Sequence, residues 1–293
     1  MYIKEGGRKM MTTNLTKPIS KKMLAAILVI TLGAEFVLYF MRYAYLAGTL
    51  YDAIMVSSFF IGWKLNHRLV DETSGRPTSR QRALQFTGAF LVFFIGSTII
   101  NIYSNLAFPA FNKNYDQYVQ VYTDPQTTVG GATSTFFSTI DSVGSDLYND
   151  TLAGLEEVWR LGYIILVLIV CKKIFPRRWE NGSRDIFILF ALFFTSILFG
   201  IDHTLDTVQT WPVRIGAIVT FANMGLILGL ILLWTRSLWV TVIVHSVYDI
   251  TTTLSWNYFH YAVETFALAA FILHIILLKF EKTQQSQSIE LTD

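Results

Sequence analysis

A single cysteine, Cys171, rules out an internal disulfide and any cysteine-rich metal cluster. Charge is also scarce: Asp, Glu, Lys and Arg make up 15% of the 293 residues, against 53% hydrophobic residues, and the mean hydropathy is +0.44. That balance excludes an ordinary soluble domain. No glycine-rich phosphate loop and no array of basic and aromatic residues is present, so nothing points to nucleotide or nucleic acid. No period of 20–50 residues recurs, which argues against a repeat architecture. What is abundant is aromatic: 23 Phe, 14 Tyr and 7 Trp, a composition suited to lipid as solvent.

A membrane span needs about 20 mostly apolar residues. Segments of that kind fall at roughly 23–41, 45–63, 84–106, 152–174, 185–203, 214–234, 238–256 and 261–280, which predicts an all-α, polytopic membrane helix bundle of about eight transmembrane helices. The boundary between the first two, through Met41-Arg42-Tyr43, is tight. The organisation expected is a cytosolic N-terminal segment 1–22, N-terminal helices with an extracellular loop over 23–150, a core over 151–256, and a last helix with a cytosolic tail over 257–293. Residues 108–150 read as a polar loop with one lysine, Lys113, and the tail beyond Lys282 as disordered. Residues 1–22 make a poor secretory signal, because the apolar run that follows is of spanning length. Lys4-Glu5-Gly6-Gly7 has the composition that a purine-rich ribosome-binding stretch would encode, so translation is expected to start at Met10 or Met11.

Lys and Arg set orientation. The N-terminus, the 64–82 connector, the run from Lys172 to Arg184, Arg236 and Lys279/Lys282 fall on one side if eight helices alternate, whereas Arg42, Lys113 and Arg214 fall on the other. The positive-inside rule then predicts a multi-pass protein of a bacterial plasma membrane with both termini cytosolic.

Against this oily background a few polar side chains stand out. Leu155-Glu156-Glu157-Val158-Trp159-Arg160 puts three charges near the start of an expected span, each costing about 2.5–3.5 kcal/mol at a helix centre. They need partners, a wet cavity, or both. Glu156 and Arg160, four apart, share a helix face and are expected to pair, leaving Glu157 rotated by about 100°. Two adjacent acids in a poorly solvated place cannot both ionise cheaply, and a carboxylate poised in this way suits a general base. His203 ends the apolar run Phe199-Gly200-Ile201-Asp202-His203, and His245 with Asp249 sits one turn apart in another expected span. A carboxylate one turn from an imidazole fixes its tautomer. Each has a plainer reading: helix-start charges for Glu156 and Glu157, an interfacial residue for His203, an interhelical hydrogen bond for His245–Asp249. Three helices bringing such groups to a similar depth favours a common intramembrane site. Gly225 and Gly229 are read as a helix-packing pair, and His274, His67 and His260 as structural.

Three short patterns in order, Glu156-Glu157 with Arg160, Phe199-xxx-His203 and His245-xxx-Asp249, resemble the CPBP (CAAX-protease and bacteriocin-processing, or Abi) intramembrane proteases. The likeness spans about 150–255 and includes Gly225…Gly229 and Arg236-Ser237-Leu238-Trp239. It departs in one place: the family's arginine lies one residue further on, and Arg160 therefore stands four residues from Glu156 instead of Glu157. The resemblance implies an endopeptidase in which Glu156 and His203 activate water, His245 and Asp249 bind the developing oxyanion, and Glu157 and Arg160 orient the set. It implies a peptide or membrane-protein substrate in the lipid bilayer and no nucleic acid, with leader, pheromone or bacteriocin peptides as candidates. No cofactor is required on the preferred reading. A zinc ion held by Glu156, His203 and His245 is the alternative. The competing functions are a catalytically altered member acting as a bacteriocin immunity factor or scaffold, and a transporter, which would call for broken helices in two similar halves.

Overall fold

The computed structural model describes residues 11–69, 77–107, 109–110, 113–115, 117–118, 132–182, 184–206 and 208–290, with backbone alone for 104–105, 132–141 and 281–290. The described residues are helical apart from turns. In chain order the helices are α1 (Lys21–Phe40), α2 (Tyr45–Asn66), α3 (Ser79–Ala107), α4 (Ala132–Ala153), α5 (Glu156–Ile174), α6 (Pro176–Asn181), α7 (Asp185–Asp202), α8 (Trp211–Thr235), α9 (Leu238–Asn257) and α10 (Ala262–Glu290). Six are long and apolar enough to cross a membrane: α1, α2, α3, α7, α8 and the Ala262–Phe280 part of α10. The protein is thus a multi-pass helical bundle. The other two expected spans, α5 and α9, are helices too, but they carry the polar residues and fall short by composition.

Local signals set the ends. Ser20 caps α1, its hydroxyl accepting from the Met23 amide at 3.2 Å. Within α1, Val29–Gly33 forms a π turn, and the chain turns back through Met41–Tyr43 into α2. Pro212 in the first turn opens α8, where its missing N–H costs nothing. Arg236, left-handed at φ 52°, ends it, and Ser237 caps α9. A two-residue connection therefore folds α9 back beside α8.

Two apolar clusters hold the bundle. One gathers Ile27, Ile30, Met55, Leu65, Val158, Leu161, Ile164, Ile165, Leu168 and Trp179 from α1, α2, α5 and α6. The other joins Phe90, Phe93, Leu228, Ile231, Val244, Ala267 and Ala270 from α3, α8, α9 and α10. Lipid tails are as apolar as leucine, so close packing replaces the hydrophobic drive. At Gly200 an added Cβ would stand 2.3 Å from the Ile218 carbonyl oxygen, and at Gly229 2.8 Å from the Leu192 side chain, so α7 and α8 approach at their backbones. α5 runs through the middle with eleven residues buried, from Glu157 to Cys171. The outward faces of α1, α2 and α10 instead expose Phe36, Phe60, Phe271 and Ile272.

Three expectations change. Residues 132–150 lie in the stretch read as a polar loop, yet they form most of α4 (Ala132–Ala153), which packs along α9. Its Ser, Thr and Asp content hides it from a search for apolar runs. Residues 11–15 lie in the segment 1–22, for which no helix was expected, yet they form a helical turn with Met11 and Leu15 buried, tied down by Arg68 donating to the Lys17 carbonyl at 3.0 Å and Arg184 to the Thr13 hydroxyl at 2.8 Å. Two apolar residues four apart were too few to register. The polar tail expected to be disordered continues α10 to Glu290, its Glu, Lys and Gln being good helix formers with no Gly or Pro among them.

Candidate active site

The chain breaks helix at Gly154-Leu155 and restarts at Glu156. A Cβ at Gly154 would lie 2.0 Å from the Ser246 Oγ and 2.6 Å from the Val242 carbonyl oxygen, so this junction sits directly on α9. The Ser246 hydroxyl donates to the Thr151 carbonyl at 3.1 Å and closes the contact. Glu156 and Glu157 consequently occupy the first turn of α5, where the positive end of the helix favours carboxylates, and His245 on α9 comes beside them.

Two tiers result. The inner tier is dry: the Glu157 side chain is 0% exposed, Arg160 2% and His245 4%. Arg160 reaches Glu157 with Nε 2.8 Å from Oε2 and donates from Nη2 to Oε1 at 3.1 Å. It also donates from Nη1 to the Gly225 carbonyl, and its guanidinium lies 4.2 Å from the Phe199 ring centroid. His245 places Nδ1 3.1 Å from Glu157 Oε1 and Nε2 3.3 Å from Asp249 Oδ2. With a carboxylate on each side, either both nitrogens carry hydrogens or one acid holds the shared proton. The outer tier is more open: the side chains of Glu156, His203 and Asp249 are 18%, 21% and 26% exposed. Here His203 Nε2 faces Glu156 Oε2 at 3.7 Å, while its Nδ1 donates to the Phe199 carbonyl at 2.8 Å.

The six residues singled out in the sequence form two contacting sets from α5, α9 and the end of α7, Glu157–Arg160–His245–Asp249 and Glu156–His203, with the Phe199 ring packed against Arg160, His203 and His245. One expected pairing is corrected. Arg160 binds Glu157 three residues back, not Glu156 four back, because Glu156 is turned to His203 and α8 supplies the Gly225 carbonyl on the Glu157 side. Gly225 is also more than a packing residue. A Cβ there would meet Arg160 Nη1 at 2.8 Å and Phe199 Cδ1 at 2.9 Å, so only hydrogen fits beside the guanidinium. Sequence reasoning missed Phe221, whose ring stacks on His203 with centroids 4.2 Å apart and 28° between planes, and Tyr118, whose hydroxyl donates to the His203 carbonyl. Aromatics are too common here to announce themselves. His274, read as structural, bridges helices: its Nδ1 lies 2.8 Å from the Thr87 hydroxyl of α3.

The zinc alternative fits this donor set poorly. Both nitrogens of His245 are turned to carboxylates, and among the described residues no three His, Cys, Asp or Glu side chains are arranged to share an ion.

A membrane helix bundle enclosing an acid–imidazole cluster is the class that fold and site define. Residues 153–251, about a third of the chain and the part that holds all six clustered residues, match the family profile described as type II CAAX prenyl endopeptidase, Rce1-like. The match supports the likeness of this core to the CPBP/CAAX intramembrane proteases. No curated protein and no solved structure gives a significant match.

Proposed function

We propose that the protein is an intramembrane endopeptidase that uses Glu156 and His203 to activate water. The observation that carries this reading is the Glu156–His203 pair: 3.7 Å apart, partly open, and backed by a dry, ion-paired tier. A water resting against both would find a carboxylate and, with Nδ1–H committed to the Phe199 carbonyl, the free Nε2 lone pair. Its oxygen attacks the scissile carbonyl carbon while its proton passes to Glu156, which returns it to the amide nitrogen as the C–N bond breaks. The oxygen of the tetrahedral intermediate is met by the His245–Asp249 pair, whose 3.3 Å contact on the open side can be exchanged for a donation from His245. Glu157 and Arg160 fix His245 from behind.

A displaced arginine favours the alternative, a catalytically altered member acting as an immunity factor or scaffold. Arg160 nonetheless meets Glu157, the partner that the family spacing would give it, which supports the catalytic reading. The substrate proposed is a peptide precursor or a membrane-anchored chain, reached from the outer side of a bacterial plasma membrane, with both termini cytosolic and no metal in the water-activating step. The test uses the full chain in proteoliposomes with a library of membrane-anchored peptides read by mass spectrometry. Glu156→Gln, eluting as wild type on size exclusion, is expected to abolish cleavage, and chelators to leave the wild type active. Undiminished cleavage by Glu156→Gln ends the proposal.

A further inference from the structure

His203 is the cap of α7, one residue past its last turn, where the helix no longer constrains the side chain. Its ring, 21% exposed, is nevertheless held between two aromatic rings. Phe199 packs against it at 4.3 Å between centroids, and Phe221 of α8 stacks on it at 4.2 Å and 28°. Nδ1 donates to the Phe199 carbonyl at 2.8 Å, and the residue's own carbonyl accepts from Tyr118. Tyr118 is 2% exposed and packs on Phe221 at 5.9 Å, with Tyr115 beside it at 5.6 Å. Tyr118 lies outside the segment matched to the family, so a second part of the chain reaches in to complete the environment of His203.

We propose that Phe221 and Tyr118 are positioning residues that hold the His203 imidazole in its Nδ1–H form, with the Nε2 lone pair turned to Glu156. The neutral ring can carry its hydrogen on either nitrogen, and the two forms do opposite things here. With hydrogen on Nε2 the ring donates to Glu156 and closes the gap to water. With hydrogen on Nδ1 it presents an acceptor, and two acceptors then face one water. The Phe199 carbonyl can only accept, so the bond at 2.8 Å selects the Nδ1–H form for as long as the ring stays in place. Phe221 blocks rotation about the ring bond, and Tyr118 fixes the backbone from which the ring hangs. Side-chain orientation set by such outer contacts is what decides which nitrogen does the chemistry.

This inference rests on the peptidase reading for its consequence but not for its test. The full chain, labelled with nitrogen-15 in its histidine rings and reconstituted in lipid, is measured by solid-state NMR, with His203→Gln assigning the signals. The wild type is expected to show a protonated Nδ1 and an unprotonated Nε2. Tyr118→Phe, which deletes one hydroxyl, and Phe221→Leu should both move the two nitrogens toward averaged shifts, whereas Phe221→Tyr should restore the wild-type pattern. Turnover should fall by about tenfold to a hundredfold in the first two with KM within about twofold, within the share a general base contributes. Wild-type signals with hydrogen on Nε2, or shifts unmoved in Tyr118→Phe and Phe221→Leu alike, overturn the proposal. If Phe221→Leu does not fold, the Tyr118→Phe spectrum decides alone. Ring signals that move as expected in a protein cleaving no peptide uphold the clamp and refute the peptidase reading instead.

Discussion

Replacing Arg160 by Met keeps most of its volume and removes its charge, leaving Glu157 facing His245 without the guanidinium. Glu157 is fully buried, so its carboxylate cannot fall back on water. Breaking one partner out of a buried ion pair costs about 3–5 kcal/mol. The remaining contact with His245 at 3.1 Å holds the loss toward the lower end, about 3 kcal/mol. For a chain of this size that corresponds to a drop of about 6–12 °C in the unfolding temperature. The second half of the cycle carries the argument. Glu157→Gln in the Arg160→Met background removes the stranded charge and should recover more than half of the loss, so that the two substitutions are strongly non-additive. The assay is thermal unfolding of the four proteins in one detergent, followed by intrinsic fluorescence. Additive effects, or an Arg160→Met protein within about 0.5 kcal/mol of wild type, would refute the idea that Glu157 depends on Arg160.

The carboxyl of Asp150, on α4, is pushed up from its ordinary 3.8 to about 6, first by burial and then by Asp249 and Asp146, with the Thr253 hydroxyl pulling the other way. A raised acid favours the protonated folded state, so its contribution is full below pH 3.8 and is lost as the pH climbs through about 6. Unfolding temperatures should accordingly fall between about pH 4 and 6 in the wild type and less so in Asp150→Asn. His274→Phe deletes the bridge to Thr87 and is expected to cost about 0.6–1.7 kcal/mol, the range for interhelical hydrogen bonds in membranes, with peptide cleavage unchanged. Loss of cleavage in a folded His274→Phe would contradict its structural assignment.

Hydropathy made the bundle legible because each apolar run of spanning length has few alternatives, and the polar residues were legible for the opposite reason: each is expensive where it stands. What stayed hidden depends on neighbours. Helical spacing put Arg160 opposite Glu156, but spacing says only which faces coincide, and His203 and Gly225 decide which acid the guanidinium meets. α4 escaped because its polar composition resembles that of a loop, although packing on α9 gives it a reason to be helical. Phe221 and Tyr118 escaped because an aromatic acting on a histidine looks, in sequence, like every other aromatic. Gly225 was read as a close-packing residue, and its proximity to Arg160 Nη1 could come only from three helices seen together.

The central helix has a history imposed by its surroundings. α5 carries two acids and an arginine that suit it poorly to lie alone in hydrocarbon, and the groups that meet them, Phe199, Gly225 and His245, are all encoded after it. About 80 residues separate its end from the end of α9, which at about 5–20 residues per second leaves roughly 4–16 s before the set is complete. During synthesis, then, the acids and the arginine must wait at the water's edge or in the care of the insertion machinery. The acid–imidazole cluster can close only after α9 has been made, as an event of biogenesis.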